Sequence, residues 1–169
     1  MDQSNEIRIL ENAVKKAFAK VQYPGSSNIS AVGSIRHLEG EAIAQLLRGK
    51  TSEQVDLQFL KDNYSGDCSA ILHFLSEPAF LYYYPSFLLI SLKNFEQSDL
   101  LGLSSLYWFS KPNSEDEKIV KSIDDHRALF DSDQIEAIHA VFSYLQRRGG
   151  SGLVSELDEA VTCTRTVIT

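Results

Sequence analysis

Leu75-Ser76-Glu77-Pro78-Ala79-Phe80-Leu81-Tyr82-Tyr83-Tyr84-Pro85-Ser86-Phe87-Leu88-Leu89-Ile90-Ser91-Leu92 carries no charge from Pro78 onward. That is too short for a bilayer-spanning helix, which needs about 20 apolar residues, and prolines, tyrosines and serines interrupt it. It reads as buried core. Ser76 has the side chain of a helix N-cap, and Pro78 is tolerated in the first turn, where backbone N–H groups lack helical partners. Leu75 before the cap and Phe80 after it have the spacing of a hydrophobic staple. Pro85 is predicted to kink or split the run into two short helices, about 77–84 and 85–94.

On either side, apolar residues recur at helical spacing. Ile7, Leu10, Val14, Ala17, Phe18 and Val21 form one stripe, with a stop at Tyr23-Pro24-Gly25. Leu38, Ala42, Ile43, Leu46 and Leu47 mark a second helix ending at Gly49. Thr51 with Gln54 reads as a capping box opening a third, whose buried face is Val55, Phe59 and Leu60. Asp99 to Phe109 is apolar nearly all round. Ser114 with Glu117 predicts a cap for a helix through Arg127. Asp131 with Gln134, flanked by Phe130 and Ile135, predicts another that buries Ile135, Ile138, Phe142 and Leu145. After Gly149-Gly150-Ser151-Gly152 the tail is rich in Thr and Val, and fits either a short helix at 153–161 or β-pairing. No strand alternation precedes it.

The expected fold is therefore mainly α: a compact single domain of seven or eight short helices over residues 1–148, with a Gly-initiated tail over 149–169. Phe80, Tyr82, Tyr83, Tyr84, Phe87, Tyr107, Trp108 and Phe109 form its expected aromatic centre. Composition agrees: the 169 residues are 43% hydrophobic and 23% charged, with only 9 Gly and 4 Pro, which excludes disordered and collagen-like chains. The polar, acidic start, Met1 to Glu6, lacks the pattern of a signal peptide, so the expected compartment is the cytoplasm.

The motif at 75–88 also resembles an uncharacterised family of small bacterial α-helical proteins, whose signature is a leucine and a capped turn followed by Ala-Phe-x-Tyr-Tyr-x-Pro-x-Phe. Ala17 to Gly25 is similar to the opening of that family, and Phe130 to Leu145 to its closing helix, so the likeness covers about 7–147. Tyr84 stands where the family often has leucine, and the tail beyond 147 departs from it. The resemblance implies a helical domain and no activity. Small bacterial domains of this kind resemble immunity proteins that neutralise toxins.

Sites of chemistry are sparse. Cys68 and Cys163 make neither a disulfide framework nor a zinc pattern. His37 and His139 stand alone, and Asp125 and His126 are adjacent and so diverge on a helix. No metal or cofactor is expected. Cys68 with His73 or His126 is the one nucleophile and base pairing to weigh, and Asp67 beside Cys68 raises a thiol pKa rather than lowering it. No catalytic residue is assigned. Tyr82, Tyr83, Tyr84 and Trp108 offer an aromatic pocket for a small ligand or substrate, although three successive helical residues cannot all face one way.

Charge is the most informative feature. The net charge is −7, and residues 96–136 hold ten acids and four bases. Such a chain is a poor ligand for nucleic acid. Glu115, Asp116, Glu117, Asp131 and Asp133 sit where acids favour helix N-termini, but Asp124 and Asp125 fall near a helix C-terminus, where they do not. These seven residues are the candidate site for a basic protein partner, with no membrane partner expected.

Overall fold

A computed structural model describes residues 2–31, 37–95, 99–110, 116–148 and 154–168. The elements are α1 (Gln3–Phe18), α2 (His37–Leu47), a 3-10 turn (Ser52–Gln54), α3 (Leu57–Asn63), a 3-10 segment (Cys68–Phe74) and α4 (Glu77–Asn94). There follow a 3-10 turn (Asp99–Leu103), α5 (Ser104–Tyr107), α6 (Glu117–Arg127), α7 (Ser132–Arg148) and α8 (Val154–Ile168). The fold is mainly α. Among the described residues there is no strand, only a lone antiparallel bridge between Ser30 and Leu75. No helix among them is long and apolar enough to cross a membrane.

The chain forms two compact units, Lys20–Ser104 and a second built from Met1–Ala19 with Ser105–Thr169. The aromatic residues expected to share one centre are thereby divided: Phe80, Tyr82, Tyr83, Tyr84 and Phe87 belong to the first, Tyr107, Trp108 and Phe109 to the second. The spacing of aromatics in sequence carries no information about which core each one enters.

In the Lys20–Ser104 unit, α4 is the axis. Ser76 caps it through the Ala79 N–H at 3.4 Å and donates to the Asn28 carbonyl at 2.6 Å. Leu75 and Phe80 are both buried. Pro85 neither ends nor divides the helix, which runs unbroken through Asn94. The proline lacks the N–H for one helical bond, but every residue from Tyr83 to Leu88 is buried, so packing on all sides holds the backbone that local preference would break. Polar groups tie it down further: Tyr83 Oη donates to the Leu47 and Lys50 carbonyls at 2.8 and 2.9 Å, and Ser86 Oγ to the Ser52 carbonyl at 2.6 Å. The first of these is the carbonyl of the last residue of α2, which also accepts the Lys50 N–H at 3.1 Å, and the second lies in the turn that follows. Gly49, at φ 69°, turns the chain there, and its N–H donates to Tyr23 Oη at 2.9 Å.

Two boundaries differ from the sequence expectation. Thr51 opens only a 3-10 turn, with Gln54 Oε1 accepting its N–H at 2.9 Å; α3 starts afresh under Asp56, which accepts the Phe59 N–H at 2.8 Å. α1 ends at Phe18, ahead of the Tyr23-Pro24-Gly25 stop.

In the other unit, α7 is the axis, with α1 and α8 packed on it. The Asp131 and Gln134 box forms in both directions, at 2.9 and 3.0 Å. Ile135, Ile138, Phe142 and Leu145 are buried, and Phe109 meets Phe130 and Phe142 at 5.6 and 5.8 Å between ring centroids. The tail is helical, not β-paired: α8 seats Leu157, Ala160 and Thr164 against its surroundings.

Candidate functional site

Among the described residues of 116–136, all seven acids are exposed: Asp116, Glu117, Asp124, Asp125, Asp131, Asp133 and Glu136. Glu115 lies outside the described residues, as does Ser114 of the expected capping box. The cap of α6 is instead Asp116, which accepts the Lys118 N–H at 2.9 Å. Asp131 caps α7. Both acids therefore have a local task, while Glu117 and Asp133 stand in first turns, where the helix dipole favours them.

Asp124 and Asp125, which helix polarity does not explain, are explained by pairing. Lys121 Nζ lies 2.6 Å from Asp125 Oδ2, with both side chains largely in solvent. Asp124 Oδ1 lies 3.3 Å from Arg127 Nη1. Arg127 is the structural centre of this end of α6. Its side chain is only 18% exposed, and it donates from Nε to the Trp108 carbonyl at 2.5 Å and from Nη2 to the Ser110 carbonyl at 2.7 Å. Asp124 thus neutralises a guanidinium committed to two backbone carbonyls. His126 donates from Nδ1 to the Ser122 carbonyl at 2.7 Å and lays its ring 4.5 Å from that of Trp108, tilted by 32°. A carbonyl only accepts, so that ring nitrogen carries the proton.

The electrostatic consequence is asymmetric. Of the three bases in 116–136, Arg127 is turned inward, leaving Lys118 and Lys121 as the exposed ones among the acids. Ile119 is 40% exposed on the same helix, turned away from Glu117, Asp124 and Asp125 by the helical pitch.

The aromatic candidates do not converge. Tyr83 and Tyr84 are fully buried, Tyr82 is partly exposed, and Trp108 belongs to the other unit. The Tyr82 ring packs edge-on against Tyr23 and Tyr83, at 5.5 and 4.9 Å. Cys68 and His126 likewise fall in different units. Burial, then Asp67, pushes the Cys68 thiol up, away from thiolate reactivity. Burial also raises Cys163. No group of three or more His, Cys, Asp or Glu among the described residues is placed to hold a metal.

One polar cluster escaped the sequence. His139 Nδ1 meets Thr164 Oγ1 at 2.8 Å, and Ser143 Oγ meets His139 Nε2 at 3.4 Å, between α7 and α8. The His139 and Ser143 spacing of four is legible in a helix, but nothing local points to Thr164. Comparisons of the chain with protein-family models, with curated proteins and with solved structures find no match.

Proposed function

We propose that this is a non-enzymatic binding protein whose exposed acids on α6 and the start of α7 engage a basic protein. The observation that supports this is the exposure of all seven acids of 116–136 beside only two exposed bases, Lys118 and Lys121, with Arg127 turned inward and paired to Asp124. A surface of one sign steers an oppositely charged partner, raising the encounter rate and selecting among partners. The anchors are Glu117, Asp125 and Asp133, since Asp116 and Asp131 cap helices and Asp124 holds Arg127. The Lys121 pair on Asp125 is open to solvent, so a partner's base displaces it at small cost. The concrete form of the proposal is a cytoplasmic immunity protein that neutralises a bacterial toxin.

The test compares immobilised wild type with the triple variant Glu117→Gln, Asp125→Asn, Asp133→Asn. Basic proteins should be retained by the wild type at low salt and lost by the variant. With a recovered partner, the variant should associate more slowly and with a flatter dependence on ionic strength. Equal retention, equal rates and equal salt slopes would reduce the acids to a solvated face. Trp108 supplies a built-in reporter, because it is the single tryptophan of the chain and stacks on His126 of α6.

A further inference from the structure

We infer that α8 is a strap that is helical only while seated on α7, and that it detaches as a unit while the rest of its compact unit stays folded. The first observation is its sequence. Seven of its fifteen residues are β-branched (Val154, Val161, Thr162, Thr164, Thr166, Val167, Ile168), against three of seventeen in α7. Such residues lose side-chain freedom in a helix, and an isolated helix of this length is marginal even when made of good formers. The threonine hydroxyls add to this by bending back on the helix. Thr162 Oγ1 donates to the Asp158 carbonyl at 2.8 Å, Thr164 to that of Ala160 at 2.9 Å, and Thr166 to that of Thr162 at 2.9 Å. Back-bonding of this kind weakens and bends helices.

The second observation is the seat. Among the described side chains of α8, Leu157, Ala160 and Thr164 are buried, and Leu157 is the one large apolar group of the three. The specific contacts are polar: Gln146 Nε2 donates to Asp158 Oδ1 at 2.5 Å, and His139 meets Thr164. The Thr164 proton goes to a carbonyl of its own helix, so Thr164 Oγ1 accepts from His139 Nδ1, and Nε2 then accepts from Ser143. When α8 leaves, His139, Ser143 and Gln146 can exchange these bonds for water. α7 meanwhile keeps its other partners. It buries eight of its own residues, packs against α1, and is tied to it by Arg147 Nη2 to Glu6 Oε1 at 2.7 Å.

Amide hydrogen exchange on the full chain, read by mass spectrometry, tests this. The span Leu157–Thr166 should exchange as one block, protected but at least tenfold less than Ile135–Leu145. Thr162→Ala with Thr166→Ala, both at exposed positions, should raise protection of that block several-fold and leave α7 unchanged. Leu157→Ala should abolish it, again without touching α7. Three results would each overturn the inference: equal protection of α8 and α7 with a common response to the variants, a smooth gradient of fraying along α8, or no protection of α8 at all.

Discussion

α4 and α6 are held by different physics. α4 buries eleven of its eighteen residues, and α6 buries only Ile123 among its eleven. In α4, burial is strong enough to carry a proline through the middle of the helix. In α6 the helix rests on polar devices: the Asp116 cap, the Lys121 to Asp125 pair and the Arg127 clamp on the Trp108 and Ser110 carbonyls. The consequence for function is direct. A helix specified from within, like α4, has little surface to offer a partner. One specified by its caps and one clamp leaves its outer face open to selection for charge.

The sharpest way to break this contrast is to empty the α4 core. Phe80→Ala should cost about 3–5 kcal/mol, read from the denaturant midpoint of the far-ultraviolet circular dichroism. A loss below about 1 kcal/mol would mean that burial is not what carries Pro85 through the helix. The counterpart on α6 is Arg127→Ala, which leaves the carbonyls of Trp108 and Ser110 without their charged donor and should cost about 1.5–3 kcal/mol, with a change in Trp108 emission. Asp125→Asn on the same helix should shift stability by less than about 0.5 kcal/mol. If the two α6 substitutions cost the same, the distinction between clamp and surface charge fails.

A further effect appears only in alkali. Burial, with Tyr23 and Tyr82 adding to it, holds the Tyr83 phenol protonated well above the usual 10.0, and burial with Glu39 pushes Tyr64 up to about 12. The folded chain keeps protons that the unfolded chain releases above about pH 10. This stability is therefore whole below that pH and is lost as pH rises toward 12. Urea midpoints followed from pH 9 to 12 should fall less steeply in Tyr83→Phe and Tyr64→Phe than in the wild type, and an unaltered slope in both would refute the assignment.

Local signals in the sequence survive into the structure where the chemistry is local. Ser76 and the Asp131 with Gln134 box cap the helices that they announce, because a cap needs only neighbours three residues away. Signals fail where distant residues decide. Pro85 breaks a helix in isolation but not inside a packed core. Asp124 looked superfluous until Trp108 and Ser110 supplied the carbonyls that fix its partner Arg127. The tyrosines at 82–84 suggest a platform, and the carbonyls of Leu47 and Lys50 turn Tyr83 into a cap for α2 instead.

The unit built around α7 takes its first helix from one end of the sequence and the rest from the other, with Glu6 and Arg147 joined across 141 residues. Synthesis imposes an order on that arrangement. The Lys20–Ser104 unit emerges from the ribosome before α7 does, so it can fold while the apolar stripe of α1 still lacks α7 as a partner. Val14 and Phe18 are buried in the folded unit, where α1 packs on α7 and the Phe18 ring meets that of Phe130 at 6.1 Å. Collapse of the intervening segment into a folded body also shortens the effective loop that α1 and α7 must close. The stretch of translation between Ala19 and α7 is thus the period in which a chaperone, or a second nascent copy, meets α1 with its apolar stripe unpartnered.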